Sequence, residues 1–240
     1  RVRFCSTAVQ QDYEVLASKL REISSLAGIG GLLGWDEMTM MPAGAVQSRA
    51  AQKKALASVV HEKSTDPLLG ELLSKLQQAD LQSLDAYQQA NVREASRDYR
   101  KSVALSEELV RREAELESRG YQTWVQARQE KDWKLFAPVL KEWIAARRER
   151  ASAIDASKPP YDVLADEYST GLTADRIRAI FDEVKAGLLP FLAELRSKST
   201  APESSWLKGN FESAKQAELC REIALALGFD LEKGRLDVSV

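Results

Sequence analysis

Apolar residues recur at three- and four-residue steps through most of this chain. That spacing gathers them on one face of an α-helix. Tyr13, Leu16, Leu20, Ile23 and Leu26 make the first such stripe. Gly28, Gly30, Gly31 and Gly34 follow. No strand precedes them and no Lys-Ser/Thr pair follows, so they read as close helix packing or a helix end, not a phosphate loop. Met41-Pro42-Ala43-Gly44 predicts a turn, with a helix after it over residues 46–61. Pro67 suits a first helical turn and opens a stripe of Leu68, Leu69, Leu72, Leu73 and Leu76.

Residues 84–118 hold neither Pro nor Gly. They predict one long helix of about 50 Å at 1.5 Å per residue, ended by Gly120, with Trp124 and Ala127 on the next element. Asp132 is placed to cap a helix carrying Phe136, Leu140, Trp143 and Ile144, with Pro138 bending it or delaying its start. Lys158-Pro159-Pro160 breaks the chain before a short segment over residues 161–168. Thr173 then caps a helix expected to turn Ile177, Ile180, Phe181, Val184, Leu188 and Leu192 inward and to kink at Pro190. A polar loop over 197–210 leads to a last helix over 211–227, closed by Gly228 in the left-handed conformation with Phe229 folding back on it. The alternating tail Leu236-Asp237-Val238-Ser239-Val240 suggests an unpartnered edge strand. No fixed-period repeat or heptad seam is present, so the pattern predicts an all-α chain of several long helices rather than a coiled coil.

The 240 residues suffice for a large core without disulfides or metals. Hydrophobic residues make up 44% and charged residues 29%, an ordinary balance for a soluble globular protein. Lys plus Arg (34) nearly offsets Asp plus Glu (36), for a net charge of −2. That leaves no long-range attraction for nucleic acid or an anionic membrane. No apolar run reaches the ~20 residues of a membrane span. Cys5 and Cys220 read as reduced thiols or small packing residues. The opening Arg1-Val2-Arg3-Phe4-Cys5-Ser6-Thr7-Ala8 is basic and free of acids. Residues 1–10 read either as the remnant of an organelle transit peptide or as a frayed terminus, and 11–240 as a helical region. The expected location is the cytoplasm, or a plastid or mitochondrial matrix if the transit reading holds.

Candidate chemistry is sparse. A catalytic zinc takes three protein ligands, mostly His, Cys or Glu, and a water. The usual peptidase motif sets two histidines one helical turn apart with a Glu between. The sole histidine stands in His61-Glu62-Lys63-Ser64-Thr65, with Thr65 where the second would be. His61 therefore reads as a helix-end residue facing the dipole. Asp36, beside Trp35, reads as a bond to backbone donors near Thr39. Asp166 and Glu167, adjacent in sequence, read as a solvated face. Arg147-Arg148-Glu149-Arg150 reads as a charged outer face. Trp124, Trp133, Trp143 and Trp206 read as core or interface anchors, with a peptide groove as the alternative.

Several stretches in order resemble the carboxypeptidase Taq family of metallocarboxypeptidases. They are Leu32-Leu33-Gly34-Trp35-Asp36-Glu37-Met38-Thr39-Met40-Met41-Pro42, Arg49, His61, Asn91-Val92-Arg93-Glu94 and Trp124 to Arg128. Asp132-Trp133 through Leu140, Tyr161-Asp162-Val163-Leu164-Ala165-Asp166-Glu167-Tyr168, Gly171-Leu172-Thr173, Gly228-Phe229-Asp230 and Gly234-Arg235-Leu236-Asp237 complete the set. Ser106 departs from it, standing where a Pro is expected. The resemblance implies one part of a cleft-type helical fold, a peptide substrate cut at its C-terminus, a zinc or similar divalent ion, and a homodimer or host complex. It places the His-Pro-Phe stretch, the His-Glu-x-x-His helix and a later glutamate ligand beyond Val240. No catalytic, metal or cofactor-binding position is therefore carried onto this chain, which is expected to be inactive alone. The alternative is a truncated, non-catalytic helical interaction or structural subunit.

Overall fold

The structure, a computed structural model, describes residues 2–200 and 202–238, with side chains from residue 8 onward. The basic opening segment thus lies largely outside the described side chains. The described residues are helical, with no strand. They divide into two units, residues 1–171 and 172–240.

In the first unit, α1 spans Val2–Thr39, α2 Val46–Ser64, α3 Pro67–Gln78, α4 Ala86–Ala104, α5 Glu107–Glu130, α6 Trp133–Asp155 and α7 Pro160–Ala165. The glycines at 28–34 do not end α1, which continues to Thr39. At Gly30 a Cβ would lie 3.6 Å from the Leu56 side chain, an ordinary contact, and at Gly28, Gly31 and Gly34 it would meet nothing within 4 Å, so close helix packing does not require these glycines either. Single-turn 3-10 helices at Ala43–Ala45 and Leu81–Ser83 serve as connectors. Asp66 and Asp132 cap α3 and α6 by accepting the N–H groups of Leu68 and Lys134. Asp85 and Gln88 form a capping box at α4.

The long helix expected over 84–118 is in fact two. Leu105 takes an extended conformation at φ −94 ψ 135. Ser106 then caps α5 by accepting from the N–H of Leu109. Burial of Leu105 in the core holds the break. Gly120 does not end α5 but lies buried within it, and Trp124 and Ala127 belong to the same helix. A Cβ at Gly120 would stand 2.9 Å from Trp143 Nε1, so this glycine lets α6 approach. Pro138 does not delay α6, which begins at Trp133.

Two cores result. Val9, Tyr13 and Leu16 of α1 pack with Leu69, Leu73 and Leu76 of α3 and Val92 of α4. Leu105, Leu109 and Leu116 pack with Ala146 of α6, backed by Trp143 and Ile154. Helix α5 lies between α2 and α6.

In the second unit, α8 spans Ala174–Lys198 and α9 Ser213–Ala226. Thr173 caps α8 by accepting from Arg176 N–H, and the helix passes through Pro190. Contrary to the inward stripe expected of it, α8 has no buried residue. Gly228 closes α9 at φ +83, while the Phe229 N–H reaches back to the Ala224 carbonyl. The Phe229 ring lies against Gly234. Residues 234–238 are irregular where a strand was expected, and 239–240 lie outside the described residues. No helix among the described residues is long and apolar enough to cross a membrane.

Candidate functional site

The first unit holds a cavity of about 510 Å³ between α1, α2 and the α4–α5 junction. Gly30, Gly31 and Gly34 give it a wall of bare backbone, and Leu56, Val60, Leu105 and Val110 make it apolar. Glycine costs a helix roughly 1 kcal/mol relative to alanine. Three on one side of α1 keep a trough open that side chains would otherwise fill.

A buried polar cluster stands at one end. Lys53 lines the cavity and donates to Glu37 Oε2 at 3.2 Å, with Glu117 Oε1 at 3.1 Å. The fully buried Ser118 hydroxyl donates to the other Glu37 oxygen. Two carboxylates around one ammonium fasten α1, α2 and α5, and the serine is committed to Glu37 instead of being free as a nucleophile. Arg150, at another edge, donates to Glu113 at 3.0 Å and to Glu167, while Arg147 donates to Glu113 at 3.3 Å and stacks on Trp143. Burial pushes the Glu113 carboxyl up, against the pull of Arg150 and Arg147.

The residues singled out in the sequence are therefore dispersed among helix-tying contacts. Asp36 does not bind backbone donors with its side chain; its carboxylate pairs with Arg49, which also donates to the Leu33 carbonyl. The Asp36 carbonyl accepts from the N–H groups of Met40 and Met41. Asp166 and Glu167 are not a solvated face. Asp166 accepts from Gly171 N–H at 2.7 Å, from Arg97 at 2.7 Å and from Lys101 at 2.8 Å, which together hold its carboxyl well below the usual carboxylate range. Glu167 turns instead to Arg150. Arg147 and Arg150 face the α5–α6–α7 seam, while Arg148 and Glu149 stay outside as expected, Glu149 pairing with Arg112. His61 is in the last turn of α2, at the helix end, and lines the cavity. Of the tryptophans, Trp143 packs on a core, but Trp124, Trp133 and Trp206 are exposed and anchor nothing among the described residues' cores.

Sequence reading missed Glu37, Lys53 and Glu113. A signal existed for two of them. Glu113 shares helical spacing with Leu109, Leu116 and Gly120, and Lys53 with Leu56 and Val60, so each is a charge inside an apolar stripe.

The model of the family described as Carboxypeptidase Taq (M32) metallopeptidase matches residues 15–240. This chain belongs to that family. It is 34% identical over 235 residues to thermostable carboxypeptidase 1 of Thermus thermophilus, covering 94% of this chain and 46% of that protein. Among solved structures, Trypanosoma cruzi metallocarboxypeptidase 1 matches at TM-score 0.74 and 32% identity, covering 96% of this chain and 46% of the other. The carboxypeptidase of this family from Deinococcus radiodurans matches at 0.75 and 29%, covering 95% and 46%. The chain thus spans about half the length of the relatives it matches.

The family is named for a metal, and the described residues do not fit one. No three His, Cys, Asp or Glu side chains come together among them to hold an ion. The inner carboxylates Glu37 and Glu113 are taken by Lys53, Arg147 and Arg150. Cys220 is exposed in the second unit, and Cys5 lies outside the described side chains.

Proposed function

We propose that this chain forms the N-terminal helical part of a metallocarboxypeptidase that hydrolyses C-terminal residues from peptides. In this reading the apolar cavity between α1, α2 and the α4–α5 junction is a wall of the substrate cleft. The observation that carries it is the family match over residues 15–240 in a chain spanning 46% of its relative. A zinc or similar divalent ion belongs to the remaining part of the family fold. The substrate is a peptide, the further partner a second copy or a host complex, and the compartment cytoplasmic or organellar. The chain supplies shape and an apolar surface, and its buried ion pairs fix the helices that carry them.

The test is a chimera in which residues 1–240 replace the matching part of the Thermus thermophilus carboxypeptidase. With zinc or cobalt it is expected to release the C-terminal residue of an N-blocked dipeptide, while residues 1–240 alone release none. A Cβ at Gly31 meets nothing within 4 Å. Gly31→Leu in the chimera should therefore fold, intrude on the cavity and raise KM several-fold with kcat within about twofold. Hydrolysis by residues 1–240 with added zinc, or a folded chimera without activity, would refute the reading.

A further inference from the structure

Helices α8 and α9 pose a physical problem. Neither has a single buried residue. Yet α8 carries Phe181, Val184, Leu188 and Leu195 at helical spacing, each between 46% and 56% exposed. Helices in proteins are held mainly by packing of an amphipathic face, not by propensity. Large side chains offer on the order of 150–200 Å² each when open. Six half-exposed ones on that side of α8, with Leu189 off it, therefore leave roughly 500 Å² of apolar surface. That is already at the upper end of the largest patch on an ordinary monomer, about 300–600 Å². Leu219, Ile223 and Leu225 of α9 stand 50–56% exposed as well.

The relatives show that more polypeptide is available to cover it. Matches covering 96% of this chain necessarily take in most of residues 172–240, and in those chains the matched part is only 46% of the polypeptide. The same helices thus occur in chains with more than as much protein again to pack on them. We infer that the apolar face of α8, together with the exposed apolar residues of α9, is the docking surface for the polypeptide that corresponds to the remaining part of the family fold. This rests on the reading of the chain as the N-terminal part of a carboxypeptidase. It goes beyond that reading in assigning which face meets the other part. Opposite the stripe, α8 carries Glu183, which leaves the contact one-sided.

Amide hydrogen exchange on residues 1–240 alone and in the chimera tests this. Residues 177–195 and 213–226 should exchange at least tenfold more slowly in the chimera, with α5 little changed. Phe181→Lys and Leu188→Lys should each abolish that gain, and Glu183→Lys should keep it. Equal protection in a monomeric chain alone would overturn the inference, as would protection in both that disappears when a dimer of residues 1–240 dissociates, since the occupant is then a second copy. Protection without hydrolysis would uphold the docking face and sink the catalytic reading. Hydrolysis with unchanged protection in the lysine variants would do the reverse.

Discussion

Asp166 lies in the turn after α7 and is the joint between that turn and α4. Its carboxylate receives one backbone N–H and two side-chain cations, from Gly171, Lys101 and Arg97. Those partners lower its folded-state pKa below the unfolded value, so as pH falls the unfolded chain takes the proton first. The stabilisation is complete above the usual carboxylate range and is lost progressively as pH drops below about 4. Asp166→Asn should cost about 1–2 kcal/mol at pH 7, toward the low end for bonds to charged groups because the site is partly open to water. Urea unfolding of wild type and variant should show that gap closing toward pH 3; a constant gap would mean the charge is irrelevant. In sequence, Asp166 and Glu167 are two adjacent acids and nothing more. Their cationic partners are 69 and 65 residues away for one and 17 for the other, a distance no local pattern spans.

At the level of the elements, two single residues set where helices stop and how near they come. Ser106 has φ −74 and ψ 148, and Leu105 before it is extended. Ser106→Ala removes the cap and should lower stability by about 1 kcal/mol. Ser106→Pro also loses the cap, but the native φ and the extended preceding residue suit proline, and the unfolded chain loses entropy. It should fall within about 0.5 kcal/mol of wild type. Thermal unfolding of the two variants separates these effects. Gly120→Ala should destabilise by about 1–3 kcal/mol despite the better helix propensity of alanine, because its methyl meets Trp143 across the α5–α6 seam. A stabilised variant would show that the seam yields. The helix starts at Val46 and Pro67, and the caps at Asp132 and Thr173, were legible because they rest on neighbours in sequence. The break at 105–106 and the inward place of Gly120 were not, because only packing against α6 and burial of Leu105 decide them.

For the molecule as a whole, every buried side chain among the described residues lies at or before Val163. The first unit has two cores and a set of buried ion pairs, and the second has none of either. Residues 1–171 expressed alone should keep a cooperative, helix-rich thermal transition, whereas residues 172–240 alone should melt without one, having too little buried surface to offset chain entropy. Circular dichroism of the two pieces checks this directly. A cooperative transition in 172–240 would show that α8 and α9 cover each other.

By itself the sequence determined the all-helical character, most of the helix starts, the family, and an inventory of one histidine and two cysteines. These depend on spacing, capping chemistry and residue inventory, all of which are local or additive along the chain. Only the tertiary structure decided that a Pro- and Gly-free stretch is two helices, that the glycines of α1 open a cavity instead of ending a helix, and that the apolar stripe of α8 is left bare. Each of those depends on which distant surface a residue meets, and the free energy of burial belongs to the pair of surfaces and not to either stretch of sequence.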